Sequence, residues 1–190
     1  MYGYALVGYL DNETESCFKK LWEDLSENNI TQYGVDTKGR RPHITIADYD
    51  NLDSDRFVEL ISKFYEDKSR VAISLNILGT FINTGTLFLA PTLSTELLYF
   101  HNRHHDYFKE FNVNENSFYL PGNWSPHCTI ASRLDEDNMI KAFKYCKINL
   151  NKINLNKIHG KLNEIALIEV EFNEEGIAIK DTVVFSKELK

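Results

Sequence analysis

Cysteine is scarce in this chain: three residues, Cys17, Cys128 and Cys146, in 190. An odd count with no metal-type spacing excludes a disulfide framework and points to a reducing compartment, the cytoplasm. Long apolar runs are missing as well. No stretch approaches the roughly 20 apolar residues of a membrane span. The opening MYGYALVGYLDNE has neither a basic n-region nor a small-residue cleavage site, so no signal peptide is expected. Basic charge is also short, with 21 Lys and Arg against 28 Asp and Glu, for a net charge of −7. Proteins that track along nucleic acid draw most of their affinity from phosphate neutralisation and carry a broad basic face. Only Lys38, Arg40 and Arg41 cluster here. A long nucleic-acid tract is therefore excluded as a partner, whereas a small nucleotide or an RNA end needs only a local positive spot.

The remaining composition, 43% hydrophobic and 26% charged with 13% aromatics, is that of an ordinary folded protein. Residues 2–10 alternate as a strand, and over 13–28 the period changes. Phe18, Leu21, Trp22 and Leu25 then fall at i, i+3, i+4 and i+7, one stripe of a helix. The polar loop NNITQYGVDTKGRR ends at Pro42, which disfavours a helical residue before it and opens an extended segment, 43–47. Asp53 can cap a second helix that buries Phe57, Leu60, Ile61 and Phe64, before β character returns at 71–82. The order then repeats: a strand at 87–90, a helix at 94–111, the polar loop NVNENSFYLPGNWS, a second proline-led strand, and a helix capped by Asp135 with Met139, Ile140 and Phe143 inward. Strands are expected at 153–158, 165–172 and 177–185. These elements predict a single bilobal α+β domain over 1–190, with internal repeats at about 1–82 and 85–190.

The repeat includes a motif. Pro42-His43-Ile44-Thr45-Ile46-Ala47 matches Pro126-His127-Cys128-Thr129-Ile130-Ala131 at five of six positions, 84 residues apart (127 minus 43). On a strand, His43, Thr45 and Ala47 share one face and Ile44 and Ile46 the other. One face is core, so Cys128 points inward. The other presents an imidazole and a hydroxyl about 7 Å apart, with the small alanine leaving room for a ligand. Two such pairs facing each other across a cleft suit attack at phosphorus. One imidazole takes the proton of the attacking oxygen and the other protonates the departing one. The threonine hydroxyls donate to the non-bridging oxygens, where charge gathers. No HExxH motif is present, and two His–Thr pairs supply two good metal ligands where zinc sites use three or four.

Paired His-x-Thr-hydrophobic motifs in a duplicated α+β chain resemble the two-histidine (2H) phosphoesterase superfamily, which includes RNA 2′,5′-ligase-like proteins and 2′,3′-cyclic nucleotide phosphodiesterases. The resemblance spans nearly the whole chain and takes in the strand–turn–strand ILGTFINTGTLFLAP at 77–91. It implies two lobes, each an antiparallel-rich sheet with helices outside and the active-site cleft between them. It also implies His43 and His127 as catalytic imidazoles, Thr45 and Thr129 as phosphate-binding hydroxyls, and chemistry without a metal or cofactor. Relatives carry a basic residue directly after the second motif; here Ser132 intervenes and Arg133 follows as the candidate.

Four further residues are candidates for substrate contact. Tyr33, Tyr119 and Trp124 lie in the loops that lead into the motifs, where aromatics can stack on a base. Arg41 shares the face of His43 if the strand already runs through it, and with Arg40 it supplies positive potential. His101, His104 and His105 fall on a helical stripe with Leu97 and Phe108 and are expected to be structural. The sequence thus predicts a monomeric, cytoplasmic enzyme acting on a 2′,3′-cyclic phosphate or 2′,5′-phosphodiester. Its rival is a non-catalytic RNA-end or nucleotide-binding protein of the same fold.

Overall fold

In the computed structural model, which describes residues 1–152 and 158–190, the seven strands form one antiparallel sheet folded around a cleft. The strands are β1 (Tyr2–Leu10), β2 (His43–Tyr49), β3 (Val71–Phe81), β4 (Thr86–Pro91), β5 (Cys128–Ala131), β6 (Ile158–Phe172) and β7 (Ala178–Glu188). They run β2-β1-β6-β3-β4-β5, with β7 also paired to β6. The 15-residue β6 joins two lobes. Its first part, from Ile158 to Leu162, pairs with β3, and from Leu162 onward it pairs with β1. One lobe is therefore β2-β1-β6-β7 and the other β6-β3-β4-β5. The two motif strands, β2 and β5, are the opposite ends of the hydrogen-bonded path, yet they approach within 8 Å between Cα atoms. The expected strand at 165–172 is thus the C-terminal half of a longer one. The strand expected at 153–158 falls, apart from Ile158, outside the described residues.

The helices are α1 (Asn12–Glu27), α2 (Tyr33–Asp36), α3 (Ser54–Phe64), α4 (Thr95–Tyr107) and α5 (Glu136–Lys152). Their starts are fixed by capping. The carboxylates of Asp11, Asp53 and Asp135 accept from the amides of Thr14, Arg56 and Asn138, and the Ser94 hydroxyl accepts from Leu97. α1 buries Phe18, Leu21, Trp22 and Leu25, as its spacing predicts. α5 differs from expectation. Its buried residues include Ala142 and Cys146, with Met139 partly buried, while Ile140 and Phe143 are exposed. Small side chains lie on the buried side of this helix, and its larger apolar neighbours turn outward. Among the described residues, no helix is long and apolar enough to cross a membrane, and all three cysteines are free thiols.

The main core lies between the sheet and the helices and holds Leu6, Leu10, Ile44, Ile46, Phe57, Cys128 and Ile130. A second, small cluster of Val7, Tyr9, Ala166 and Ile168 occupies the opposite face of β1 and β6. Tyr9 and Val7 stand opposite His43 and Thr45 in register. This second cluster is the floor on which the first motif rests.

Candidate active site

Each motif strand carries one extra residue. Leu6 and Val7 are adjacent on β1 but pair with Ala47 and Thr45, leaving Ile46 unpaired. Leu87 and Phe88 on β4 pair with Ala131 and Thr129, leaving Ile130 unpaired. Two bulges at equivalent motif positions break the alternation of faces. Ile46 and Ala47, like Ile130 and Ala131, are consecutively buried in the main core. The expectation that Ala47 and Ala131 share the cleft face with the histidines is corrected by this. Past each threonine the strand turns into the core, and of the second motif His127 and Thr129 line the cleft.

The carbonyls around the first bulge are satisfied from α4 and the second loop. Trp124 Nε1–H donates to the Thr45 carbonyl (2.9 Å) and His105 Nε2–H to that of Ile46 (3.1 Å). Trp124 lies flat on His101, with ring centroids 3.8 Å apart and planes 4° from parallel. His101 Nε2–H donates to the Tyr119 carbonyl (2.8 Å), and His104 bonds the hydroxyls of Tyr49 and Tyr65 (2.7 and 3.1 Å). All three α4 histidines are buried, and they hold the first motif and its loop from behind. Burial lowers their proton affinity, to about 4 for His101, with neighbouring His105 adding to the effect. The sign of the stability effect follows. These groups are neutral when folded but bind protons near pH 6.5 when unfolded, so the unfolded chain takes up more protons as pH falls. Thermal unfolding followed from pH 7.5 to 4.5 is expected to show Tm falling below about pH 6.5, and His101→Gln should flatten that fall.

His43 and His127 are held alike. Nδ1–H of His43 donates to the Arg41 carbonyl and that of His127 to the Ser125 carbonyl, both at 2.7 Å. A carbonyl only accepts, so Nδ1 carries a proton in each ring, and Nε2 is the nitrogen left to exchange one. Tyr9 stands edge-on to His43, 6.4 Å between centroids. His127 sits against Phe81 and Phe88 at 4.8 and 5.2 Å. Burial lowers the proton affinity of both rings. For His43, the Arg41 carbonyl and the Asp181 carboxylate oppose that fall while Arg40 and His127 add to it.

The loop tyrosines cross between lobes. The Tyr33 side chain, from the loop before the first motif, lies near Thr129 in the second motif. That of Tyr119, before the second motif, lies near Thr45 in the first. Burial raises the pKa of both phenols. Each therefore stays protonated beside its threonine.

The cleft has a volume of about 1630 Å³, and Tyr33, Arg40, Tyr119, His127, Thr129 and Arg133 line it. His43 and Thr45 are outside that lining, although His43 is close enough to His127 for their charges to interact. Arg133 has a left-handed backbone (φ 60°) and donates across the cleft to the Gly176 carbonyl (2.6 Å) in the turn between β6 and β7. Two candidates are placed elsewhere. Arg41 lies against the Tyr9 ring (3.8 Å) and is bound by Glu15 and Glu164 (2.9 and 3.1 Å), so Arg40 rather than Arg41 reaches the cleft. Trp124 is occupied with His101 and Thr45, so it is a buttress and not a free stacking surface. Phe118, which no motif marks in the sequence, lines the cleft and is 81% exposed. Among the described residues, no three His, Cys, Asp or Glu side chains are grouped to hold a metal ion.

The family model described as the 2′-5′ RNA ligase superfamily matches residues 17–173. No curated protein sequence matches the chain. The fold is similar to that of E. coli LigT complexed with 3′-AMP (TM-score 0.60, 11% identity, 98% of this chain and 96% of LigT covered). It is also similar to TT0787 of Thermus thermophilus (TM-score 0.60, 14% identity, 98% and 97% covered). A phosphoesterase of solved structure is a third such neighbour (TM-score 0.59, 10% identity, 100% and 99% covered). LigT has also been crystallised with ATP and with NADP+.

Proposed function

Because the chain belongs to the 2′-5′ RNA ligase superfamily, whose model covers residues 17–173, we propose that it is a metal-independent two-histidine phosphoesterase. Its substrate is a 2′,3′-cyclic phosphate or 2′,5′-phosphodiester on an RNA end or a small nucleotide, and it works as a monomer in the cytoplasm. The observation that carries this reading is the matched tethering of His43 and His127. Both rings spend Nδ1 on the carbonyl two residues back and keep Nε2 for proton transfer. Binding alone does not require two imidazoles fixed in the same tautomer.

In hydrolysis, Nε2 of one neutral imidazole takes a proton from water as the water oxygen bonds to phosphorus. The P–O bond to the leaving ribose oxygen breaks, and the other imidazole, charged at the start, gives that oxygen a proton from Nε2. Thr45 and Thr129 donate to the non-bridging oxygens. Ligation uses the same groups in reverse. The lowered proton affinity of both rings makes the charged partner the scarcer form, and a bound phosphate anion restores it.

The deciding experiment is a screen of 2′,3′-cyclic mononucleotides, 2′,5′-linked oligonucleotides and ADP-ribose 1″,2″-cyclic phosphate, with products identified by linkage. Turnover of at least one is expected, at a rate unchanged after exhaustive chelation. Loss on EDTA treatment and recovery with one divalent ion would replace the two-histidine reading with a metallohydrolase. Affinity without product across the whole screen would make the chain a nucleotide-binding protein.

A further inference from the structure

The loop leading into the first motif carries a charge that the two-histidine chemistry leaves unused. The Arg40 side chain is only 9% exposed and that of its partner Asp181 5%. Charges at such depth are retained only when paired with good geometry. Arg40 Nε–H donates to Asp181 Oδ2 at 3.2 Å, and the guanidinium lies 4.6 Å over the Tyr33 ring. The backbone around it is sewn to β7. Thr37 Oγ1–H donates to the Ala178 carbonyl (3.0 Å), the Lys38 amide to Ile179 (3.2 Å), and the Asp181 amide back to Lys38 (2.9 Å). Gly39, at φ +83°, permits this approach; a Cβ there would stand 2.3 Å from the Asp181 carbonyl oxygen.

Two donor groups remain unspent. Neither Nη of Arg40 has a protein acceptor among the described residues, and Arg40 lines the cleft. The second carboxylate oxygen of Asp181 is buried without a donor. A planar fork held by an ion pair and an aromatic face, on a residue that lines the cleft, has the donors for a phosphate. Tyr33, the ring beneath the guanidinium, lines the same cleft as Thr129 of the second motif.

We propose that Arg40, anchored by Asp181 and Tyr33, is a further phosphate-binding group of this cleft, its Nη donors taking non-bridging oxygens of the anion held between the two motifs. This rests on the phosphoesterase reading for the nature of the anion. The groups facing His43 are Asp181 from β7, His127 from the second motif, Arg40 and the Arg41 carbonyl from its own loop, and Tyr9 from β1. Glu15 and Glu164 are taken up by Arg41 behind Tyr9. Arg40 and Asp181 therefore act on His43 with opposite signs, so the His43 midpoint reports the loss of either charge, and phosphate affinity reports the role of the fork.

The test uses the full chain and inorganic phosphate, titrated by NMR while the ring proton of His43 is followed against pH. Arg40→Gln is expected to weaken phosphate binding roughly 10- to 100-fold and to raise the His43 midpoint, whereas Asp181→Asn lowers that midpoint. The double variant Arg40→Gln/Asp181→Asn removes both buried charges together and should fold while still binding phosphate weakly. Arg40→Lys, which keeps the charge and loses the fork, should also bind more weakly than wild type. Wild-type phosphate affinity in the folded double variant, or in Arg40→Lys and Arg40→Gln alike, overturns the proposal. Failure of the substrate screen with these phosphate effects intact would overturn the enzyme reading and leave the Arg40 site standing.

Discussion

His43→Ala and His127→Ala are each expected to lower turnover by roughly 10²–10⁴-fold while the chain stays folded. The fold should survive because the side chains that anchor the motif strands point the other way. Ile44, Ile46, Cys128 and Ile130 fill the main core on the opposite face. Each imidazole makes a single protein hydrogen bond, to the carbonyl two residues earlier. The Ser125 carbonyl lines the open cleft, where water can replace the His127 ring. The loss should appear in kcat at least as strongly as in KM, since proton transfer is made only in the transition state. The check is a single-turnover rate on whichever substrate the screen identifies, with circular dichroism and thermal melts to establish folding. A variant that is folded and retains near wild-type rate removes that histidine from the mechanism. The two substitutions should not multiply when combined, because acid and base act in one step.

The elements that make this site were legible in the sequence to different depths. Local signals served well. The helical stripe of α1, the aspartate caps and the proline-led motif strands are each encoded within a few residues, and the structure has them where the spacing places them. What depends on pairing between distant segments was not legible. A uniform two-residue period cannot show that Ile46 and Ile130 are extra residues in their strands, because an alanine next in line suits either face. Nor does sequence separation show that β6 joins the two lobes by pairing first with β3 and then with β1. The choice between Arg40 and Arg41 failed for a similar reason. Pro42 leaves the strand start undetermined, and the carboxylates that claim Arg41 come from α1 and β6. The three histidines of α4 read as one face of a helix, but the carbonyls that His105 and His101 satisfy, at the bulge and in the Tyr119 loop, meet them only once β2 and that loop pack on the helix.

The pH dependence is expected to be bell-shaped in kcat/KM, with its maximum below pH 6.5, the ordinary histidine value. The reason lies in the free enzyme. Burial pushes the proton affinity of both His43 and His127 down, so at pH 7 both rings are mainly neutral. Catalysis needs one neutral ring and one charged ring. As pH falls through the lowered values, the first proton taken up creates the active form and the second destroys it, which gives two limbs on the acid side of neutrality. The same signs predict a difference between the two kinetic parameters. In the complex, the phosphate anion favours a charged imidazole, so the maximum of kcat should lie at higher pH than that of kcat/KM. The apparent values belong to the coupled pair, and neither limb is assigned to one ring by the profile alone. Asp181→Asn distinguishes them. It removes the carboxylate that supports the charge on His43 and leaves the causes acting on His127 untouched, so only the limb governed by His43 should move, toward lower pH. Steady-state rates from pH 4.5 to 9 on wild type and this variant supply the measurement. A kcat/KM maximum above pH 7.5 in the wild type, or equal displacement of both limbs in the variant, would mean that the rings are not set apart in this way.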